Sequence, residues 1–286
     1  MINQVIIPIA GKGTRFLPIT KSVCKTLLPI VDKPTIHYLV NEAIEAKAEE
    51  VIIVMSPEQA DVKNYFNINT NYVASLTKEY KEIKEIENIL KKIKISYVIQ
   101  ETPKGLGDAI MCAKPLLKNN TFGVILGDDL IKKTMSVYGI NELITKYNKI
   151  EGLYLGVQEV KIEDTSKYGI IGGTLKKGLI YVNEIVEKPL TNPPSNFACI
   201  GRYLLPYKIF DYLEKTMPGV NKEIQLTDAI EAYRQEYDNV FAVKIRGKRF
   251  DIGSKVGYLK ANIDYSMSRE DLKEDINDYL REVIDG

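Results

Sequence analysis

Apolar runs of strand length alternate with helical periodicity through the first half of the chain. Val5–Ala10, Val51–Ser56, Ile95–Gln100 and Phe122–Leu126 read as strands, hydrophobic almost without interruption and so buried on both faces. Between them, apolar spacing predicts helices at Thr35–Ala46, Glu58–Phe66 and Leu106–Leu117. This order predicts an α/β fold with a mostly parallel sheet covered by helices on both sides. Ligands of such sheets gather beyond the carboxyl ends of the strands. The segments after Ala10, Gln100 and Leu126 all lie at that edge, which makes each a candidate for function.

A charged helix over residues 72–92 carries Leu76, Tyr80, Ile83, Ile86 and Leu90 along one side and interrupts the alternation. The second half is richer in strand, near Gly152–Val160, Gly169–Gly172 and Ile180–Val186, followed by the turn-prone Thr191–Ser195. Helices return at Pro206–Lys215, Glu223–Glu236, Lys255–Tyr265 and Arg269–Val283. No repeat or linker divides the 286 residues, a length that buries a sizeable core.

Composition removes several classes of function. A net charge of +1 gives no reason to expect a nucleic acid or an anionic membrane as partner. No apolar run reaches membrane-span length, and Met1-Ile-Asn-Gln leads straight into a strand, so neither an anchor nor a leader is expected. Cys24, Cys112 and Cys199 are few and far apart, which fits a reducing cytoplasm. The single histidine, His37, falls on the flank of the stripe Ile36, Leu39, Val40, Ala43 and Ile44, where a surface or boundary role is expected. Chemistry must then run on carboxylates, lysines, arginine and metal.

The segment Ala10-Gly-Lys-Gly-Thr-Arg15, with Lys25 beyond it, combines close-approach glycines with fixed cations. Backbone amides freed of Cβ atoms form a nest for anions, while Arg15 and Lys25 supply charge for a polyphosphate. A dinucleotide fingerprint fails because Phe16 stands where its third glycine is needed, and Walker A fails because Gly13 follows Lys12. Asp128 and Asp251 each end a short apolar segment and could share one magnesium ion, which takes one or two carboxylates beside phosphate. Gln100 precedes Gly105 and Gly107, so one amide and a close backbone could read a base edge. Glu187 and Lys188 stand before Pro189, where a carboxylate suits paired hydroxyls and an ammonium suits phosphate. Taken singly, each feature also fits a bland role as a turn, a cap or a solvated pair.

Taken together, the motifs run in one order over nearly the whole chain, Val5 to about Tyr265. They include Ala10-Gly-Lys-Gly-Thr-Arg15, Val31-Asp-Lys-Pro34, Lys104-Gly-Leu-Gly107, Leu126-Gly-Asp128, Tyr168-Gly169, Val186-Glu-Lys-Pro189, Gly201-Arg-Tyr203, Glu223-Ile-Gln-Leu-Thr-Asp228 and Phe250-Asp-Ile-Gly253. The chain resembles the sugar-nucleotide pyrophosphorylase superfamily, and within it the bacterial UTP–glucose-1-phosphate uridylyltransferases. The resemblance implies a three-layer α/β/α Rossmann-like nucleotidyltransferase fold with a mostly parallel mixed sheet. It also implies Mg²⁺-dependent exchange of UTP and glucose 1-phosphate for UDP-glucose and pyrophosphate.

By motif, Arg15, Lys25 and Lys188 become catalytic. Ala10, Gly11, Gly13, Thr14, Gln100, Gly105 and Asp128 bind nucleotide, while Gly169, Glu187, Lys188 and Gly201 face the sugar. Asp128 and Asp251 bind the metal. Residues 1–286 form a single domain, with 1–130 mainly for nucleotide, 131–265 mainly for sugar and 266–286 a C-terminal helix. A homo-oligomer, dimer or tetramer, is expected, with residues 72–92 and 269–285 as candidate contacts. The product is expected to serve polysaccharide or glycolipid assembly.

The chain departs from the pattern at Lys12, at Cys24, Thr26 and Leu27 around the lysine, and at Asp108, where histidine is frequent. Thr26, Leu27 and Leu28 are closer to thymidylyltransferase relatives. That specificity, another sugar 1-phosphate, and a non-catalytic sugar-nucleotide-binding paralogue are the alternatives.

Overall fold

The computed structural model describes residues 2–285 except 70–72, 74, 77–79 and 220–221. Its strands are β1 (Gln4–Pro8), β2 (Pro29–Ile30), β3 (Lys33–Pro34), β4 (Glu50–Met55), β5 (Lys94–Ile99), β6 (Thr121–Ile125), β7 (Asp129–Lys132), β8 (Leu153–Glu159), β9 (Gly169–Lys176), β10 (Leu179–Glu187), β11 (Phe197–Pro206), β12 (Val240–Lys244) and β13 (Lys248–Asp251). Nine of them form one sheet in the order β5-β4-β1-β6-β11-β8-β12-β10-β9. The first four are parallel, as the continuous apolar runs predicted. Antiparallel β11 and β10 make the second half mixed.

Alternate residues of the central strands feed two cores on opposite faces, as the two-residue period of a strand requires. Val5, Ile7, Val51 and Ile53 join Leu39, Val40, Leu143 and Ala261 on one side. Ile6, Ile52 and Val54 join Ile110, Phe210, Leu226 and Ile230 on the other. The helices Thr35–Glu45, Ile140–Tyr147 and Lys255–Ser266 therefore cover one face, and Leu106–Ala113, Phe210–Leu213 and Leu226–Glu236 cover the other. No helix among the described residues is long and apolar enough to cross a membrane.

Several elements differ from the sequence expectation for local reasons. The helix expected at Leu106–Leu117 gives way to a 3₁₀ turn at Lys114–Leu116, where Pro115 removes a donor. The helix expected from Glu223 starts at Leu226, because Ile224 exchanges backbone hydrogen bonds with Lys104 and Gly107 and Gln225 is extended. Of the helix expected over 72–92, Lys81–Lys92 is helical with Ile89 as its buried residue, and part of the rest lies outside the described residues. His37 corrects its expected boundary role: it is buried, with Nδ1 2.8 Å from the Tyr65 hydroxyl.

Of the strands absent from the sequence reading, β11 matters most for the site. Its register breaks between Cys199 and Tyr203, where Gly201 adopts φ +69°. Before the break it pairs with β9, and beyond it with β6. The strand thus changes partner at Gly201, and the sheet opens there at the carboxyl end of β6.

Candidate active site

The loop after β1 is a chain of short 3₁₀ turns, Thr14–Phe16, Ile19–Lys21 and Lys25–Leu27. Gly13, at φ +62°, makes the first bend, and its carbonyl accepts from Thr20 Oγ1 at 2.8 Å. A Cβ on Gly11 would meet nothing within 4 Å, so the loop is open on that side. Gln59 holds the loop from behind: its Nε2 donates to the carbonyls of Ile9 at 2.9 Å and Gly11 at 3.3 Å. Sequence reasoning passed over Gln59, although Ser56-Pro-Glu-Gln59 carries a capping-box pattern that predicts its fixed side chain.

Two cavities meet at the open end of the sheet. One, of about 320 Å³, is lined by Ala10, Gly11, Gly13, Lys25, Gln100 and Gly105. The other, of about 630 Å³, is lined by Arg15, Gly169, Glu187, Lys188, Arg249 and Asp251. Leu106, Leu126, Asp128 and Glu223 belong to both walls. The structure therefore brings together most of the residues selected from sequence. Thr14 is exposed and lines neither cavity, and Gly201 also lines neither. Gly201 acts through the bulge: a Cβ there would lie 2.8 Å from Leu126 Cβ and 2.9 Å from Asp129 Oδ2.

Charge concentrates at the shared wall. Lys25 Nζ lies 3.3 Å from Asp128 Oδ2, and Arg15 Nη1 approaches the Gly253 carbonyl at 3.5 Å. Burial opposes ionisation of Asp128, but the charges of Lys25 and Arg249 outweigh it and hold the carboxyl below its ordinary range. Beneath it, Arg249 Nε donates to Asp129 Oδ1 at 2.5 Å while its guanidinium lies 4.8 Å from the Tyr168 ring centre. Deeper still, Arg202 forks onto Glu42 through Nε at 2.8 Å and Nη2 at 2.7 Å, and Nη2 also reaches the Asp129 carbonyl at 2.9 Å.

The side chains of Asp128 and Asp251 lie near each other around Gly253. A Cβ built on Gly253 would lie 2.9 Å from Asp251 Oδ1 and 3.3 Å from Asp128 Oδ2, so both carboxylates border one small space. Among the described residues no group of three or more His, Cys, Asp and Glu side chains could hold a metal. A pair of carboxylates fits Mg²⁺, whose remaining positions belong to phosphate oxygens and water.

The second cavity is ordered by Glu187. Its Oε2 accepts from Thr227 Oγ1 at 2.6 Å, and its Oε1 lies 2.9 Å from Lys188 Nζ. Lys188 takes φ +46°, rare for a residue with a side chain, while its N–H donates to the Tyr168 carbonyl at 2.9 Å. A Cβ on Gly169 would stand 3.2 Å from Glu187 Oε2, so glycine leaves that oxygen approachable. Thr227, Tyr168 and Arg249 join the site without having been assigned a role from sequence, although Tyr168 and Thr227 stand inside the motifs Tyr168-Gly169 and Glu223-Ile-Gln-Leu-Thr-Asp228.

Comparison with known proteins agrees with this geometry. The family model described as nucleotidyl transferase matches residues 4–268. The UTP–glucose-1-phosphate uridylyltransferase 1 of Streptococcus pyogenes serotype M3 is 40% identical over 285 residues, 98% of this chain and 93% of that protein. A solved UDP-glucose pyrophosphorylase in complex with UDP-glucose is 41% identical, with 94% of this chain and 100% of that one covered at a TM-score of 0.85. A UTP-bound enzyme from Acinetobacter baumannii is 37% identical, with 99% of each chain covered at a TM-score of 0.89. With the motifs in order, the two cavities joined at Asp128 and relatives of this similarity along almost its full length, the chain belongs to the nucleotidyl transferase family, among the UTP–glucose-1-phosphate uridylyltransferases.

Proposed function

We propose that this protein transfers a uridylyl group from UTP to glucose 1-phosphate, giving UDP-glucose and pyrophosphate, with Mg²⁺ as its cofactor. The observation that carries the reading is the shared wall: Asp128 borders both cavities, so a nucleotide in one and a sugar phosphate in the other meet beside it. Ala10 and Gly11 approach the nucleoside, and Gln100 and Gly105 face the base. Lys25 from one side of Asp128 and Arg15 from the other hold the triphosphate. Glu187 and Gly169 face the sugar hydroxyls, with Gly201 shaping that cavity, and Lys188 orients the sugar phosphate.

A phosphate oxygen of the sugar is anionic at neutral pH and needs no general base. It forms a bond to the α-phosphorus as the bond to the pyrophosphate oxygen breaks, and pyrophosphate leaves with the electron pair. Repulsion between the two anions and charge on the leaving group set the barrier, so positioning and fixed cations carry catalysis. Held by Asp128 and Asp251, Mg²⁺ would supply further positive charge to the phosphate oxygens.

The reading divides one domain of 286 residues into a nucleotide half, 1–130, and a sugar half, 131–265, with 266–286 closing the chain. Free Cys24, Cys112 and Cys199 support a reducing, cytoplasmic setting. A homo-oligomer is supported by exposed Val256, Leu259 and Ile263 on one C-terminal helix and Tyr279, Val283 and Ile284 on the next. The product suits glucosyl transfer in polysaccharide assembly.

The test is pyrophosphate release from UTP or dTTP with glucose 1-phosphate and Mg²⁺. Preference for UTP, abolished in Asp128→Ala, is expected. Preference for dTTP would move the protein to the thymidylyltransferase reading, and nucleotide binding without release would favour a non-catalytic one.

A further inference from the structure

Gln100 follows β5 directly and is buried at the wall of the first cavity. Its Nε2 lies 2.5 Å from Asp108 Oδ2 and 3.4 Å from the Gly105 carbonyl. Both neighbours are acceptors only, so the amide nitrogen must face them and the oxygen must face away. No described residue donates to Gln100 Oε1, and no unpartnered side-chain oxygen is enclosed among the described residues, so that oxygen opens onto the cavity. A free glutamine amide presents a donor to one base and an acceptor to another. This one is held as an acceptor.

The geometry points to Asp108 as a positioning residue for base selection, acting through Gln100. The inference rests on the uridine-nucleotide reading above. An acceptor fixed toward the base pairs with the imide N–H of uracil or thymine. It repels cytosine, whose corresponding ring nitrogen is itself an acceptor. Asp108 is well placed to hold the amide, because it sits in the first turn of the Leu106–Ala113 helix and the chain around it is tied down. Gly107 N donates to the Ile224 carbonyl at 2.9 Å, and Ile224 N donates to the Lys104 carbonyl at 2.7 Å. Gly105 at φ +105° has no room for a Cβ, which would lie 2.8 Å from the Ile224 carbonyl.

The test is Asp108→Asn, which keeps the volume but lets two amides pair in either orientation. kcat and KM are measured for UTP, dTTP and CTP at saturating glucose 1-phosphate and Mg²⁺. The UTP-to-CTP ratio of kcat/KM should fall about tenfold, the worth of one net hydrogen bond. The change should lie mainly in KM, since base contacts are equal in ground and transition states. The UTP-to-dTTP ratio should not move, because both bases present the same N–H.

Asp108→Ala, which frees the amide altogether, should show the same fall. Equal losses for all three nucleotides, or an unchanged UTP-to-CTP ratio in a variant with wild-type thermal melting, would overturn the role of Asp108. If wild-type protein itself uses no pyrimidine nucleotide with an imide N–H, the uridine reading fails first, and that result is distinguishable from a failed Asp108.

Discussion

Lys25 Nζ and Asp128 Oδ2 face each other across 3.3 Å at the wall common to both cavities. The pair joins a cation from the loop after β1 to a carboxylate from the end of β6. Replacing Lys25 with Met, or Arg15 with Ala, removes charge that matters most as pyrophosphate departs. Turnover should fall roughly 10²–10³-fold, the usual cost of losing one preorganised charge donor. KM for glucose 1-phosphate should change little. Steady-state kinetics would sink the assignment if turnover and sugar KM suffered equally.

Asp128 and Asp251 should show themselves as metal ligands by a shift in Mg²⁺ demand. Asp251→Asn keeps the hydrogen bond available at Gly253 N, which now reaches Asp251 Oδ1 at 3.0 Å. The Mg²⁺ concentration for half-maximal rate should rise by at least the ~10–100-fold that loss of an outer-shell partner costs. A Mg²⁺ titration unchanged in shape and midpoint would remove Asp251 from the metal site.

Arg202 is fully enclosed and is neutralised by Glu42 through two hydrogen bonds. Glu42→Gln leaves that guanidinium buried without its countercharge and should cost roughly 3–5 kcal/mol in urea unfolding. Arg202→Met should cost a similar amount, while the double change should cost clearly less than the two added together. Simple additivity would mean that the pair does not act as a unit.

His37 gives stability a dependence on pH. Burial first, and the charge of Lys33 second, push it down to about 4 from its ordinary 6.5. The unfolded chain then takes up a proton as pH falls through 6.5, while the folded protein does not until about 4. Its contribution is therefore complete above the unfolded value and is lost on going down to the folded one, by roughly 3 kcal/mol in all. Between pH 7 and 5, wild-type protein should lose more stability in urea than His37→Gln does, by ~2 kcal/mol. Parallel losses in the two proteins would show that His37 does not titrate as described.

Gly201, Arg202 and the strand that carries them show where local reading stops. A glycine and an arginine in mid-run argue against a buried strand, since glycine weakens strands and a lone buried charge is costly. Neither objection holds in the fold. Gly201 supplies the φ +69° bulge at which β11 changes partner, and Glu42, 160 residues away, neutralises Arg202. His37 was misplaced for a related reason. Its own helix does not show that Tyr65 covers it.

The sequence by itself determined the parallel half of the sheet, because unbroken apolar strands between amphipathic helices can be buried in few other ways. It also singled out the loop after β1, Gln100, Asp128, Glu187 and Asp251, residue types that follow strands in a fixed order and that the fold gathers at the two cavities. Only the tertiary structure decided that Asp128 is common to both cavities. It alone brought Thr227 to Glu187, put Arg249 beneath Asp129, and turned the nitrogen of Gln100 toward Asp108. Those relationships join segments that are remote in the chain or depend on side-chain orientation. A pattern along one strand or helix carries the direction of its own side chains, but not which distant group they meet.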